Sequence, residues 1–212
     1  MSPQRVKWVF ISHEDADHVG NLDVVMDRCP DATLVCSWAL MERHTNAFEF
    51  PLERCRWMDD RVTFDAGDRQ ISLVRPPIYD SPTTRGLFDS QTGVYWAADC
   101  FATPVPGGAG ATALARNVDE LDYDFWVGGM TMFAFNALAP WLRLVDRDRF
   151  ATEVQRLGEL EISAIISAHS PIISGTRIAD ALAKIRALPD AECPPPPGQA
   201  ALDLIMAATH AT

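Results

Sequence analysis

Near the start of the chain, Val6-Lys7-Trp8-Val9-Phe10-Ile11 is apolar but for one lysine, and it stops at the polar run Ser12 to Asn21. A short apolar run bounded this way predicts a buried strand that ends in a loop. Leu22, Val25 and Met26 then recur at helical spacing as far as Cys29-Pro30, where proline ends the pattern. Thr33 to Ser37 reads as a second strand, and Trp38 to His44 as a helix. Short β segments follow around Arg54 to Met58, Val62 to Phe64 and, after the turn Asp65-Ala66-Gly67-Asp68, Ile71 to Arg75. Gly86-Leu87-Phe88 and Val94-Tyr95-Trp96-Ala97 flank Asp89-Ser90-Gln91-Thr92-Gly93, so these two strands are predicted to pair as a hairpin.

The second half is less regular. Thr103 to Gly110 is rich in Pro and Gly and reads as a loop, and Ala111 to Tyr123 as mixed loop and helix. Phe125 to Val145 is apolar and aromatic without clean periodicity, and Trp126, Met130, Met132, Phe133 and Phe135 within it are read as core in preference to a pocket lining. Phe150, Val154 and Leu157 repeat at helical spacing, followed by the strand Ile162 to Ile166 and the polar break Ser167-Ala168-His169-Ser170-Pro171. Ile178, Leu182, Ile185 and Leu188 mark one face of another helix. Pro194 to Pro197 is a stiff polyproline linker to an apolar tail, Ala200 to Ala208, that is expected to dock on the body or on a second subunit. One α/β domain over residues 1–193 with a tail over 194–212 accounts for the pattern.

Composition narrows the function classes. At 212 residues, with 48% hydrophobic and 22% charged residues, the chain is long enough to bury one core. No apolar run approaches the roughly 20 residues that a transmembrane helix requires. Lys plus Arg number 18 against 29 Asp plus Glu, a net charge of −11, which argues against nucleic acid and an anionic membrane as partners. Cys29, Cys36, Cys55, Cys100 and Cys193 form no CxxC pair and are odd in number, so a reducing cytoplasm is the expected setting. Met1 to Arg5 leads directly into the first strand, whose apolar run is too short for a signal-peptide core.

The chemistry concentrates in His13, Asp15, Asp17 and His18. Residues two apart on an extended segment face the same way, so His13 and Asp15 can converge on one ion while Asp17 and His18 turn towards a second. Asp80, Asp99 and His169, each in a polar break after an apolar run, are the further candidates. Four aspartates carry a charge of about −4, which two divalent cations would balance; without cations the carboxylates would repel. The plain alternative is a polar loop that caps the helix at Asn21, and four candidate ligands within six residues argue against it. Glu14 is expected to point away into solvent, His44 and His210 to serve as surface or packing residues, and Cys100 to be a small buried residue without a redox role.

His13-x-Asp15-x-Asp17-His18-x-Gly20 resembles the first metal motif of the metallo-β-lactamase superfamily. Its carboxylate in second position is similar to the HxExDHxG motif of flavodiiron proteins and their oxygen-binding di-iron relatives. Asp80-Ser81-Pro82, Ala98-Asp99-Cys100-Phe101 and Ser167-Ala168-His169-Ser170-Pro171 follow in that family's order, so the resemblance runs over about residues 6 to 175. Asp15 stands where the family has glutamate and Asp80 where it has histidine. The resemblance implies a metallo-β-lactamase-like αββα sandwich, here short of part of its N-terminal half. It implies two divalent metal ions, iron favoured and manganese or zinc possible, with His13, Asp15 and Asp80 on one, Asp17, His18 and His169 on the other, and Asp99 bridging. The implied function is binding or reduction of O2 or NO, with an external electron donor. One alternative is a hydrolase in which a metal-bridging hydroxide attacks an ester, lactone, amide or thioester and Asp17 is the catalytic proton acceptor. A non-catalytic gas-sensing or degenerate metal-binding domain is the other. The apolar tail and short sandwich point to a homodimer.

Overall fold

A computed structural model describes residues 2–44, 51–103, 115–193 and 195–209. The chain enters through strand β1 (Trp8–Phe10), a helical turn α1 (Ala16–Val19) and helix α2 (Leu22–Arg28). It continues through β2 (Thr33–Cys36), α3 (Trp38–His44), β3 (Cys55–Trp57), β4 (Thr63–Asp65), β5 (Gln70–Val74), β6 (Gly86–Asp89) and β7 (Val94–Trp96). Helices α4 (Tyr123–Phe133) and α5 (Arg147–Gly158) lead to β8 (Ala164–Ile166), β9 (Ile173–Ser174), α6 (Arg177–Ala187) and a last helix, α7 (Gln199–Thr209).

Strand β2 shows how the layers arise. Leu34 and Cys36 pack with Leu22 and Met26 of α2 and with Leu40 and Met41 of α3, whereas Val35 packs with Phe64 and Leu73 of a second sheet. The alternation is the period-two geometry of a strand buried on both faces, as a parallel sheet requires. Strands β1 and β3 flank β2 in parallel, and among the described residues this first sheet has the order β1-β2-β3. The second sheet has the order β4-β5-β6-β7-β8-β9, antiparallel throughout except for the parallel pair β7 and β8. Trp8 against Phe64, with ring centroids 5.1 Å apart, and Phe10 against Trp96, 5.7 Å apart, join the sheets face to face. The far side of the second sheet carries Phe88, Tyr95, Ile165 and Ile173, covered by Trp126 and Met130 of α4, Phe150 and Val154 of α5 and Ile185 of α6. Helix, sheet, sheet and helix form the αββα sandwich of the metallo-β-lactamase-like fold.

Several expected elements change in detail. β1 is half-buried, because it is an edge strand of its sheet. Val25 is 38% exposed, and Leu22 and Met26 alone anchor α2. Beyond that helix, the Arg54 guanidinium donates to the carbonyls of Met26, Cys29 and Ala32, placing a cation at its C-terminal end. The aperiodic stretch Phe125 to Val145 has a structural cause: α4 passes into a π-helical turn (Ala134–Leu138) and then a 3-10 turn (Pro140–Leu144), so no single period describes it. Trp126, Met130 and Phe135 are core, as expected. The β6–β7 hairpin forms, its turn closed by Asp89, whose carboxylate accepts from the Gln91 N–H at 2.9 Å and the Thr92 hydroxyl at 2.7 Å. Gly93 completes it at φ +73, where an added Cβ would meet the Glu161 carbonyl at 2.6 Å. The apolar tail is the helix α7, with Leu204 73% exposed. The Pro/Gly-rich loop beyond Thr103, the start of the Ala111 to Tyr123 stretch, Pro194 of the linker, the His44 side chain and His210 lie outside the described residues. Among the described residues, no helix is long and apolar enough to cross a membrane.

One turn holds strained backbone. After β7 the chain reverses through Ala97 to Ala102, with Ala98 at φ 52 and Phe101 at φ 69, both in the left-handed region that favours glycine. The Ala98 carbonyl is thereby aimed at the segment after β8, where it accepts from the Ala168 N–H at 2.9 Å and the Ser167 hydroxyl at 3.1 Å. Both strained residues are fully buried, so packing holds the conformation.

Two stability measurements test this account. Leu73→Ala empties a site between the sheets and should cost about 2–5 kcal/mol in urea unfolding, whereas Leu204→Ser should stay within about 0.5 kcal/mol. Ala98→Gly should shift the unfolding free energy by less than about 1 kcal/mol, because relief of strain offsets the freer unfolded chain. Ala98→Val, β-branched at positive φ in a filled site, should cost more than about 2 kcal/mol.

Candidate metal centre

Sheet topology brings the candidate ligands to one end of the sandwich. β7 and β8 run in parallel, so the residues after them, Asp99 and His169, emerge side by side. β6 runs antiparallel to β7, which sets the loop before it, carrying Asp80, at the same end. β1 of the facing sheet ends in Ser12 to Asp15, and the Arg85 N–H donates to the Ser12 carbonyl at 3.1 Å, tying the two sheets together there. Asp15 has extended backbone and is the N-cap of α1, its carbonyl accepting from the His18 N–H at 2.8 Å and the Val19 N–H at 3.0 Å. Asp17 and His18 therefore stand on a helical turn, not on an extended segment, and the turn brings the His18 ring beside that of His13, centroids 4.0 Å apart.

All seven residues come together. Asp99 lies at the centre, its Oδ2 3.3 Å from His13 Nε2 and its Oδ1 3.1 Å from His18 Nε2 and 3.6 Å from His169 Nε2. On one side, Asp15 Oδ2 and Asp80 Oδ2 each lie 3.8 Å from His13 Nε2. On the other, Asp17 Oδ2 is 3.2 Å from His169 Nε2 and 3.5 Å from His18 Nε2. Three sets have ligand atoms within 4.8 Å of one another: His13 with Asp15 and Asp80, Asp17 with His18 and His169, and His13 with His18 and Asp99. Burial is graded. His13 and Asp99 are buried, Asp80 is partly covered, and Asp15 and Asp17 open to solvent.

Protonation follows from this grading. Burial opposes ionisation of Asp99, but the imidazoles of His13 and His18 against it outweigh that cost and hold its carboxyl well below the usual range. Burial likewise opposes a charge on His13, and the contact and charge of Asp99, reinforced by Asp80 and Asp15, raise its pKa above the ordinary value. Asp15 is raised by partial burial and by the like charge of Asp80, which exceed the pull of His13. At Cys100 burial pushes the thiol far above its ordinary pKa, in keeping with a packing role.

The cluster has the form of a cation site. His13 Nε2, His18 Nε2 and Asp99 Oδ1 are buried and close together, yet none has a hydrogen-bond partner of acceptable alignment. Orphaned polar atoms of this kind are costly unless something fills the space between them. Ser12 Oγ lies 3.0 Å from His13 Nδ1 and 3.1 Å from His18 Nδ1. A serine oxygen can accept both Nδ1–H protons, so that a cation between the rings and Asp99 could take the place of the Nε2 protons and find both Nε2 lone pairs turned towards it.

One neighbour differs from its expectation. Glu14 is not solvated: it accepts from the Ser81 hydroxyl at 2.8 Å and from the Thr83 hydroxyl, and pairs with Arg43 of α3. Burial raises its carboxyl, but these bonds from Thr83, Ser81 and Arg43 more than offset that and keep it ionised. Ser12 carried one signal in the sequence, a polar residue directly between the apolar run and His13. The roles of Ser81 and Thr83 had none, because their partner is distant in the chain.

The geometry can be set beside known proteins. A family model described as ODP family beta lactamase matches residues 1–170. A nitric oxide reductase of Moorella thermoacetica is 20% identical over 173 residues, which are 80% of this chain and 40% of that protein. The apo chemotaxis sensor ODP from T. denticola superposes with a TM-score of 0.68 at 15% identity, covering 91% of this chain and 72% of that one. Rubredoxin oxygen:oxidoreductase from Desulfovibrio gigas superposes with a TM-score of 0.67 at 16% identity, covering 88% of this chain and 44% of that one. The chain thus spans less than half the length of the reductase and of the oxygen:oxidoreductase. With its αββα layers and a model match over most of its length, the chain belongs to the ODP family of beta lactamases.

Proposed function

We propose that the cluster holds two iron ions and that the chain binds or reduces O2 or NO there. The observation that carries this reading is Asp99, a buried carboxylate whose two oxygens face different triads, His13 with Asp15 and Asp80, and Asp17 with His18 and His169. Four carboxylates and three imidazoles, with no thiolate among them, make an oxygen-rich donor set that suits iron or manganese better than zinc. The reading is also supported by the similar nitric oxide reductase and by the peroxy diiron form of the chemotaxis sensor ODP. Reduced iron, if held by these residues, would supply the electrons and the binding affinity for a diatomic gas.

The remaining work falls to the chain's own side chains. Asp99 faces both halves and would offset part of the positive charge of ions held there. Ser12 fixes the rings of His13 and His18 through their Nδ1 atoms, so that neutral Nε2 lone pairs face inward. Asp17, with its side chain 56% exposed, closes the second triad on its solvent side, its Oδ2 3.2 Å from His169 Nε2 and 3.5 Å from His18 Nε2. The reading includes an external electron donor, residues 1–193 as the gas-binding unit, and a homodimer formed through the exposed apolar side chains of α7.

Metal analysis of anaerobically purified protein tests this. The expected result is iron filling both triads, with absorption that changes on exposure to O2 or NO. Asp99→Ala should weaken iron binding at least ~10-fold, since second-shell changes alone cost about 10–100-fold. Two zinc ions per chain, with no gas-sensitive absorption after iron reconstitution, would overturn the reading. Chelator-sensitive turnover of an ester or lactone panel would point instead to the hydrolase.

A further inference from the structure

We propose that Glu14 is a positioning residue, a half-buried clamp that fastens the loop carrying Asp80 to the segment carrying His13 and Asp15 and so assembles one of the two triads. This rests on the metal-centre reading above. Asp15 and Asp80 come from segments far apart in the chain, and both carboxylates face His13 Nε2 at 3.8 Å. Two like charges brought to one imidazole repel, so something other than the ligands themselves must hold the segments together.

Glu14 is placed to do so. It lies between His13 and Asp15 in the chain, and its carboxylate reaches the residues after Asp80. Oε1 accepts from the Ser81 hydroxyl at 2.8 Å and Oε2 from the Thr83 hydroxyl. The Thr83 N–H donates to Ser81 Oγ at 3.2 Å, and the two hydroxyl oxygens lie 2.9 Å apart with both protons turned to Glu14, so the loop is gripped as one piece. Both hydroxyl residues are buried, which removes water as a competing partner. Arg43 pairs with the same carboxylate, so the clamp adds no net charge beside the cluster. The second triad stands on other elements, α1 and the segment after β8, whereas among the described residues the Glu14 carboxylate bonds to Arg43, Ser81 and Thr83. The clamp therefore acts on one half of the centre.

Anaerobic titration of the full-length chain with Fe2+, read by calorimetry, tests the proposal. The wild type should bind two ions. Glu14→Ala should lose at least ~10-fold in affinity for one of them and keep the other within about twofold, the size expected when a ligand's support is removed. Glu14→Gln, which still offers an oxygen to Ser81 and an amide to Thr83, should recover most of the loss. Ser81→Ala/Thr83→Val attacks the clamp from the loop side and should reproduce the defect even if Glu14→Ala folds poorly. His169→Ala leaves the first triad alone, and combined with Glu14→Ala it should leave no tight site. Two ions bound as tightly as in the wild type, or both weakened equally, would overturn the clamp while leaving the di-iron reading intact. A wild type that binds no iron would remove that reading and the clamp with it.

Discussion

Four carboxylates and three imidazoles meet at one end of this sandwich, and the carboxylates repel. The cluster cannot hold itself together, so its geometry must be imposed from outside. The fold imposes it through the backbone. The Arg85 N–H on the Ser12 carbonyl, the Ala168 N–H on the Ala98 carbonyl and the Thr103 N–H on the His169 carbonyl cross-tie the segments that carry the candidate ligands. These bonds do not depend on what the side chains do, and their rigidity keeps the aspartates close despite their charge.

The strained turn around Asp99 belongs to the same arrangement. Ala98 at φ 52 turns its carbonyl towards the His169 segment and leaves the Asp99 side chain facing the two histidines. Backbone strain of this kind persists where packing over-determines it, and here the core of the second sheet surrounds it. Inner and outer parts of the site then differ in character. His13 and Asp99 are shielded and pull each other's protonation equilibria towards the charged pair, while Asp15 and Asp17 keep contact with solvent. A buried anion flanked by imidazoles suits the binding of cations, and an exposed rim suits the movement of protons.

Much of this was legible in the chain. The alternation of Leu34, Val35 and Cys36, the hairpin around Asp89 to Gly93, and the helix marked by Phe150, Val154 and Leu157 all follow from local rules of period and turn. The region from Phe125 to Val145 resisted because the helix changes type within it, and a pattern with three periods has no period. Asp17 and His18 stand on a helical turn because Asp15, a residue type that favours the N-cap, starts it, yet a single turn of four residues is too short to show a helical period.

The sequence by itself determined which residue types are available and in what order: the compact group His13, Asp15, Asp17 and His18, the later Asp80, Asp99 and His169, and strands whose ends carry them. Only the tertiary structure decided which side chains face one another. Glu14 shows the difference. By sequence it is one more acid in a polar loop, and its partners Ser81 and Thr83 lie 67 and 69 residues away. Local periodicity fixes the direction of a side chain relative to its own strand or helix, whereas a contact between distant segments depends on strand pairing and sheet packing, which no local pattern encodes.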